Sequence, residues 1–135
     1  MAEFQFVKPG LNAVGQYQLS GIPYASNSIG VTAVAVTEVE FPTITKFVTI
    51  VNEHSGSNAG LRVGFSALGV STNNHYFTLD NGESYTGEWR VKSIFIAGDG
   101  APSTASVIAG MTMIEVENLP NNWSGSDSIY NNGVG

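Results

Sequence analysis

"LDNGESYTGEWRVKSIFIAG", residues 79–98, sets the dipeptide Asn81-Gly82 between two runs rich in β-branched and aromatic residues. Asn-Gly is the pair that a two-residue type I′ turn favours, because both central residues need positive φ, so the stretch predicts a β-hairpin. Asp80 and Glu83 then stand at the strand ends, as a solvated tip rather than a cation site. Beyond the turn, alternation along "SYTGEWRV" puts Tyr85, Gly87 and Trp89 on one face. A core face requires that pattern.

Working outward, short runs of Val, Ile, Thr, Phe and Tyr, broken by Gly, Asn, Ser, Asp and Pro, recur from Val31 to about Ile114. They predict seven strands: Gly30–Phe41, Ile44–Asn52, Leu61–Ala67, His75–Asp80, Ser84–Trp89, Val91–Ala97 and Ala105–Val116. Leu61, Val63, Phe65 and Ala67 alternate with Arg62, Gly64 and Ser66, and Val39 and Phe41 alternate with Glu38 and Glu40, so these strands bury one face. "FVTIV" and "SIFIA" are almost continuously apolar, as suits central strands. No helix is predicted. The fold class is all-β, an antiparallel β-sandwich that is either jelly-roll-like or immunoglobulin-like.

The expected organisation is an extended arm over 1–29, where Gly and Pro interrupt any period, a sandwich over 30–117, and a flexible tail over 118–135. The tail is rich in Asn, Gly and Ser, with isolated aromatics at Trp123 and Tyr130. At 135 residues the chain suits one domain, able to remove roughly two-thirds of its unfolded surface from water. Only 12% of residues are charged and the net charge is −6, so five basic residues cannot build a track for phosphates. Nucleic acid is excluded as a partner. No run reaches the roughly 20 apolar residues of a membrane span, and "MAEFQFVKPG" lacks the order of a secretory signal, so synthesis in a cytoplasm is expected.

The absence of cysteine removes disulfides, thiolate metal sites and a thiol nucleophile together. The two histidines, His54 in "NEHSGSN" and His75 in "TNNHYFT", stand outside any nucleophile elbow. Glu53, Asp80, Glu83 and Asp99 lie in loops without the spacing of a calcium loop, and "GDG" at 98–100 reads as a turn. Glu38 with Glu40, and Glu115 with Glu117, share strand faces as solvated carboxylates do. No catalytic, cofactor or metal residue is assigned, and the chain is read as no enzyme. Tyr76, Tyr85, Trp89 and Trp123 could instead form a stacking platform for a glycan.

"GLNAVGQYQLSGIPY" at 10–24, "FPTITKFVTIVNEHSGSNAGLRVGFSALGV" at 41–70, and "FTLDNGESYTGEWRVKSIFIAG" running on to "ASVIAGMTMI" at 105–114 resemble small virion proteins of tailed bacteriophages, notably marine and cyanobacterial ones. The resemblance implies a non-enzymatic capsid decoration or cement protein that binds the major capsid protein and itself, with a trimer favoured by capsid symmetry. Its place would be the virion surface, after synthesis in the host cytoplasm. Phe4, Phe6, Tyr17, Tyr24, Trp123 and Tyr130 are the expected interface anchors. The alternative is a carbohydrate-binding or host-attachment β-sandwich module, in a head fibre or tail.

Overall fold

Apolar residues at every second position make one-faced strands, and the chain disposes of those faces by pairing two sheets. The computed structural model describes residues 21–53, 60–71, 74–118, 123–124 and 130–131. The strands are β1 (Ile22–Val31), β2 (Thr37–Glu40), β3 (Thr43–Asn52), β4 (Gly60–Gly64), β5 (Tyr76–Leu79), β6 (Ser84–Gly87), β7 (Ser93–Asp99) and β8 (Ser103–Glu115). A one-turn helix α1 (Ala67–Ser71) follows β4, and a 3-10 turn, Val116–Asn118, follows β8. Two-residue strands β9 (Trp123–Ser124) and β10 (Tyr130–Asn131) pair with each other in the segment expected to be a tail.

One four-stranded sheet runs β1-β8-β3-β6 and the other β2-β7-β4-β5, with antiparallel pairing throughout. Apart from the β4–β5 pair, every step from β1 to β8 crosses from one sheet to the other. An immunoglobulin domain keeps its first two strands adjacent in one sheet, whereas eight strands wired in this way make a jelly roll. The all-β sandwich is as expected, and its jelly-roll form is resolved. Ile50, Val48, Val107 and Ala109 from one inner face meet Leu61, Val63, Ile94 and Ile96 from the other, all essentially inaccessible to water. Ile44 and Ile114 form a second, smaller cluster at one end with Val116.

Four expectations need correction. First, Asn81-Gly82 is no hairpin: β5 pairs with β4 and β6 pairs with β3, in opposite sheets. Gly82 has φ 77° while Asn81 is not among the residues with positive φ, which is the type II pattern, closed by Glu83 N–H donating to Asp80 O at 2.9 Å. The corner is held to the end of β3 by Gly82 N–H to Asn52 O and Asn52 N–H to Glu83 O, each 2.9 Å. Buried Asn52 completes the knot, its Nδ2 donating to Leu79 O at 3.0 Å and its Oδ1 accepting from Ser103 Oγ at 3.1 Å.

Second, the arm boundary at residue 29 is too late, because residues 22–29 belong to β1, a full strand of the sandwich paired with β8. A bulge conceals it. Ser26 and Ile29 are three positions apart, while their partners Val107 and Ala105 are two apart, and Ser28 takes φ 57°. The extra residue lets Tyr24 before the bulge and Ile29 and Val31 after it face the same core. Third, Gly30–Phe41 is two strands, parted at Thr32–Val36 where the chain passes between sheets and leaves Val34 94% exposed. Fourth, β4 ends at Gly64 and Ser66 caps α1, its Oγ accepting Gly69 N–H at 3.0 Å. Val70 of α1 is fully buried, and a Cβ at Gly64 would lie 2.7 Å from both Val70 Cγ2 and His75 O.

Candidate functional site

Charge divides the two sheets. β1 and β6 carry no charged residue, β3 carries only Lys46 and β8 only Glu115, whereas Glu38, Glu40, Arg62 and Asp99 all lie on the β2-β7-β4-β5 sheet. The outer face of the β1-β8-β3-β6 sheet is consequently neutral over three rows that cross its strands. Pro23, Gly110 and Phe47 form one row; Ala25, Ile108, Thr49 and Thr86 the next; Ser106, Val51 and Ser84 the third.

Each row has a physical reason to be flat. The Phe47 ring lies down over Gly110, in the space a Cβ there would occupy, so the aromatic does not stand out from the sheet. Thr49 Oγ1 and Thr86 Oγ1 share a hydrogen bond at 2.8 Å, and Ser106 Oγ donates to Asn27 Oδ1 at 2.6 Å. Thr49 and Thr86 thus satisfy each other across strands, and Asn27 satisfies Ser106. At the centre of the face, on the second strand from its edge, Ile108 is 46% exposed. No charged residue lies in its row, between Ala25 on β1 and Thr49 and Thr86 on β3 and β6.

The opposite sheet is covered by its own chain. Arg62 on β4 donates through Nε to Asp99 Oδ1 at 2.8 Å, lies 4.5 Å from the Tyr76 ring centroid, and sends Nη1 to Val70 O and Ser71 O at 3.3 Å. One guanidinium therefore ties β4, β7, β5 and the C-terminal end of α1 together. Asp99 is spent in that ion pair, and Gly100 beside it turns at φ 79°, as the "GDG" reading expects.

Along the open side of the sandwich, four aromatics close the gap between β4 and β5 on one sheet and β6 on the other. Phe65 meets Trp89 edge-on at 5.1 Å, Phe77 meets Tyr85 at 5.2 Å and Trp89 at 6.0 Å, and Tyr85 stacks on Trp89 at 5.9 Å and 24°. Trp89 fills the space beside buried Gly87. Tyr85, Gly87 and Trp89 do share the core-side face, but β6 is an edge strand and Tyr85 stays 49% exposed. A groove of about 250 Å³ beside them is lined by Val63, Gly64, Phe65, His75, Tyr76 and Phe77. A second, of about 340 Å³, lies among Glu38, Glu40, Phe41, Lys92, Ser93 and Val116 and carries both signs of charge.

Of the expected interface anchors, Tyr24 lies on β1 and turns half-buried toward its own core, edge-on to Phe41 at 5.1 Å and 81°. Trp123 and Tyr130 lie on β9 and β10, where their backbones pair with Asn131 and Ser124. Phe4, Phe6, Tyr17 and His54 lie outside the described residues. His75 is exposed ahead of β5, and Glu83 turns its carboxylate back onto Asp80 N–H at 2.7 Å. Among the described residues no three of His, Asp and Glu are grouped to hold a metal ion, and no helix is long and apolar enough to cross a membrane. Sequence reasoning missed the neutral face; the signal was present in "FVTIV" and "TASVIAG", two runs without a charge.

No protein-family model matches this chain, and no curated protein sequence does either. Among solved structures it is similar to the Yersinia pseudotuberculosis-derived mitogen, at 13% identity and TM-score 0.39 over 67% of this chain and 87% of that one. It is similar to a chain from Bacillus endospore appendages, described as disulfide-linked pili, at 16% identity and TM-score 0.37 over 68% and 91%. A third is PliG from Aeromonas hydrophila, a periplasmic inhibitor of g-type lysozyme, at 12% identity and TM-score 0.34 over 79% and 91%. These likenesses are distant, and none bears on function.

Proposed function

We propose that this chain is a non-enzymatic structural protein of a virion, of the capsid-decoration kind, held in a repeating assembly by burial of the neutral outer face of its β1-β8-β3-β6 sheet. The observation that carries the reading is Ile108, half-exposed at the centre of three cross-strand rows that hold no charged residue. The resemblance of its sequence to small phage virion proteins supports the same class. Jelly rolls serve both viral capsids and lectins, so the wiring alone chooses neither.

Reconstitution tests this. Purified protein added to capsids lacking it should bind, and Ile108→Lys should weaken binding by about tenfold or more, because it would bury an unpaired ammonium at the contact. Failure of the unmodified protein to bind any such particle would refute the reading. A carbohydrate-binding module is the second reading, favoured by the Tyr85–Trp89 stack. Because Trp89 also packs against Phe65 and Gly87, Tyr85→Ala is the cleaner probe: glycan-array binding lost in that variant, with its fold intact, would favour the module.

A further inference from the structure

We infer that Asn81 is a latent self-modification site, an asparagine set to deamidate through Gly82 and kept intact by the corner that pins the Gly82 amide.

In an Asn-Gly pair the second residue has no Cβ to shield its nitrogen. Once that nitrogen gives up its proton it can attack Asn81 Cγ, forming a C–N bond and a five-membered imide while the side-chain nitrogen leaves as ammonia. Water then opens the imide at either carbonyl, giving aspartate or isoaspartate. The net change is one water consumed and one ammonia released, so no oxidant, cofactor or second protein is needed. Asn81 and Gly82 are both exposed, and water reaches them freely. Asn132-Gly133, the second such pair, lies outside the described residues.

Geometry holds the reaction back in two ways. Gly82 N–H donates to Asn52 O at 2.9 Å, so the proton that must leave first is the one this carbonyl holds. The type II turn, with Gly82 at φ 77°, sets ψ of its first central residue to about +120°. At that angle Gly82 N points away from Asn81 Cβ, whereas ring closure needs the two nearly eclipsed about the Cα–C bond. Asn52 is itself fixed by its side chain, which donates to Leu79 O and accepts from Ser103 Oγ. Ring closure therefore waits for the corner to open, the same event that exposes the Gly82 amide to hydrogen exchange.

The product does not fit back. Isoaspartate carries the main chain through Cγ and lengthens the turn by one carbon, so Gly82 N–H and Glu83 N–H no longer reach Asn52 O and Asp80 O together. Either product also adds a negative charge between the exposed Asp80 and Glu83. Conversion at Asn81 is thus a permanent record of openings of the β5–β6 corner.

Peptide mapping by mass spectrometry tests this on the full chain, kept folded at mildly alkaline pH and, in parallel, unfolded in guanidinium chloride. Trypsin frees the peptide between Arg62 and Arg90, and fragmentation separates a change at Asn81 from one at Asn73 or Asn74. The folded chain should convert Asn81 at least about tenfold more slowly than the unfolded one. Asn52→Ala and Ser103→Ala, checked for fold by circular dichroism, should each speed conversion in native buffer by about threefold or more, in step with faster exchange of the Gly82 amide. Ser103→Ala, the milder change, carries the comparison if Asn52→Ala does not fold. Conversion of folded Asn81 within about twofold of the unfolded rate overturns the inference. So does faster Gly82 exchange in a folded variant with no faster conversion, and so does an unfolded chain in which Asn81 stays intact.

Discussion

Replacing Asn52 by Ala should damage this fold more than its single lost amide suggests. Asn52 is fully buried at the end of β3, donating to Leu79 O at 3.0 Å and accepting from Ser103 Oγ at 3.1 Å, and it so joins the β5 end of one sheet to the β8 start of the other. The substitution removes these two hydrogen bonds, taking one donor from the Leu79 carbonyl and one acceptor from the Ser103 hydroxyl. At about 1–2 kcal/mol for each lost bond, the expected loss is about 2–4 kcal/mol. For a chain of this size that lowers the midpoint of thermal unfolding by about 10 °C. Calorimetry together with urea titration followed by circular dichroism would measure both. Ser103→Ala, which strips one donor, should cost about half as much. A loss under about 0.5 kcal/mol in Asn52→Ala would show that the knot does not hold the sheets in register.

Other outcomes follow from the same packing. Gly87→Ala puts a methyl where the Trp89 ring lies, so it should destabilise by about 1–3 kcal/mol and shift Trp89 emission toward the red, measured in a Trp123→Phe background. Arg62→Met should cost about 1–2 kcal/mol in urea unfolding, with Arg62→Lys a poor rescue, because only the guanidinium fork reaches Asp99 and the α1 carbonyls while lying against Tyr76. Deleting residues 1–28 should abolish cooperative unfolding by taking Ile22–Ser28 out of β1 and stripping β8 of a partner. Undiminished stability of that truncation would show that this part of β1 is dispensable.

Where strands lie was largely legible, and what they pair with was not. Alternation in Val39 and Phe41, and in Leu61 and Val63, marks buried faces that the structure fills, and "FVTIV" and "SIFIA" do lie on central strands. Parity is also what hid β1, since the bulge at Asn27 and Ser28 shifts the inward residues from even to odd positions and erases the period of two. At Asn81-Gly82 the local chemistry of a turn was read correctly, but type II and type I′ turns both accept that pair. The choice between hairpin and corner was made by distant residues, β3 and β4, competing for β6 and β5. The neutral face escaped notice for a related reason. Its rows join residues far apart in the chain, such as Pro23 beside Gly110 and Ala25 beside Ile108, and only the sheet brings them together.

If the neutral sheet face is buried in the assembly, residue 108 must lose its access to solvent there. The chain has no cysteine, so Ile108→Cys and, as a control, Val34→Cys each offer one thiol to a maleimide. In dilute protein both should label rapidly. In the assembled protein position 108 should be strongly protected and position 34 should not, while equal labelling of position 108 in the free and assembled protein would show that the face stays open.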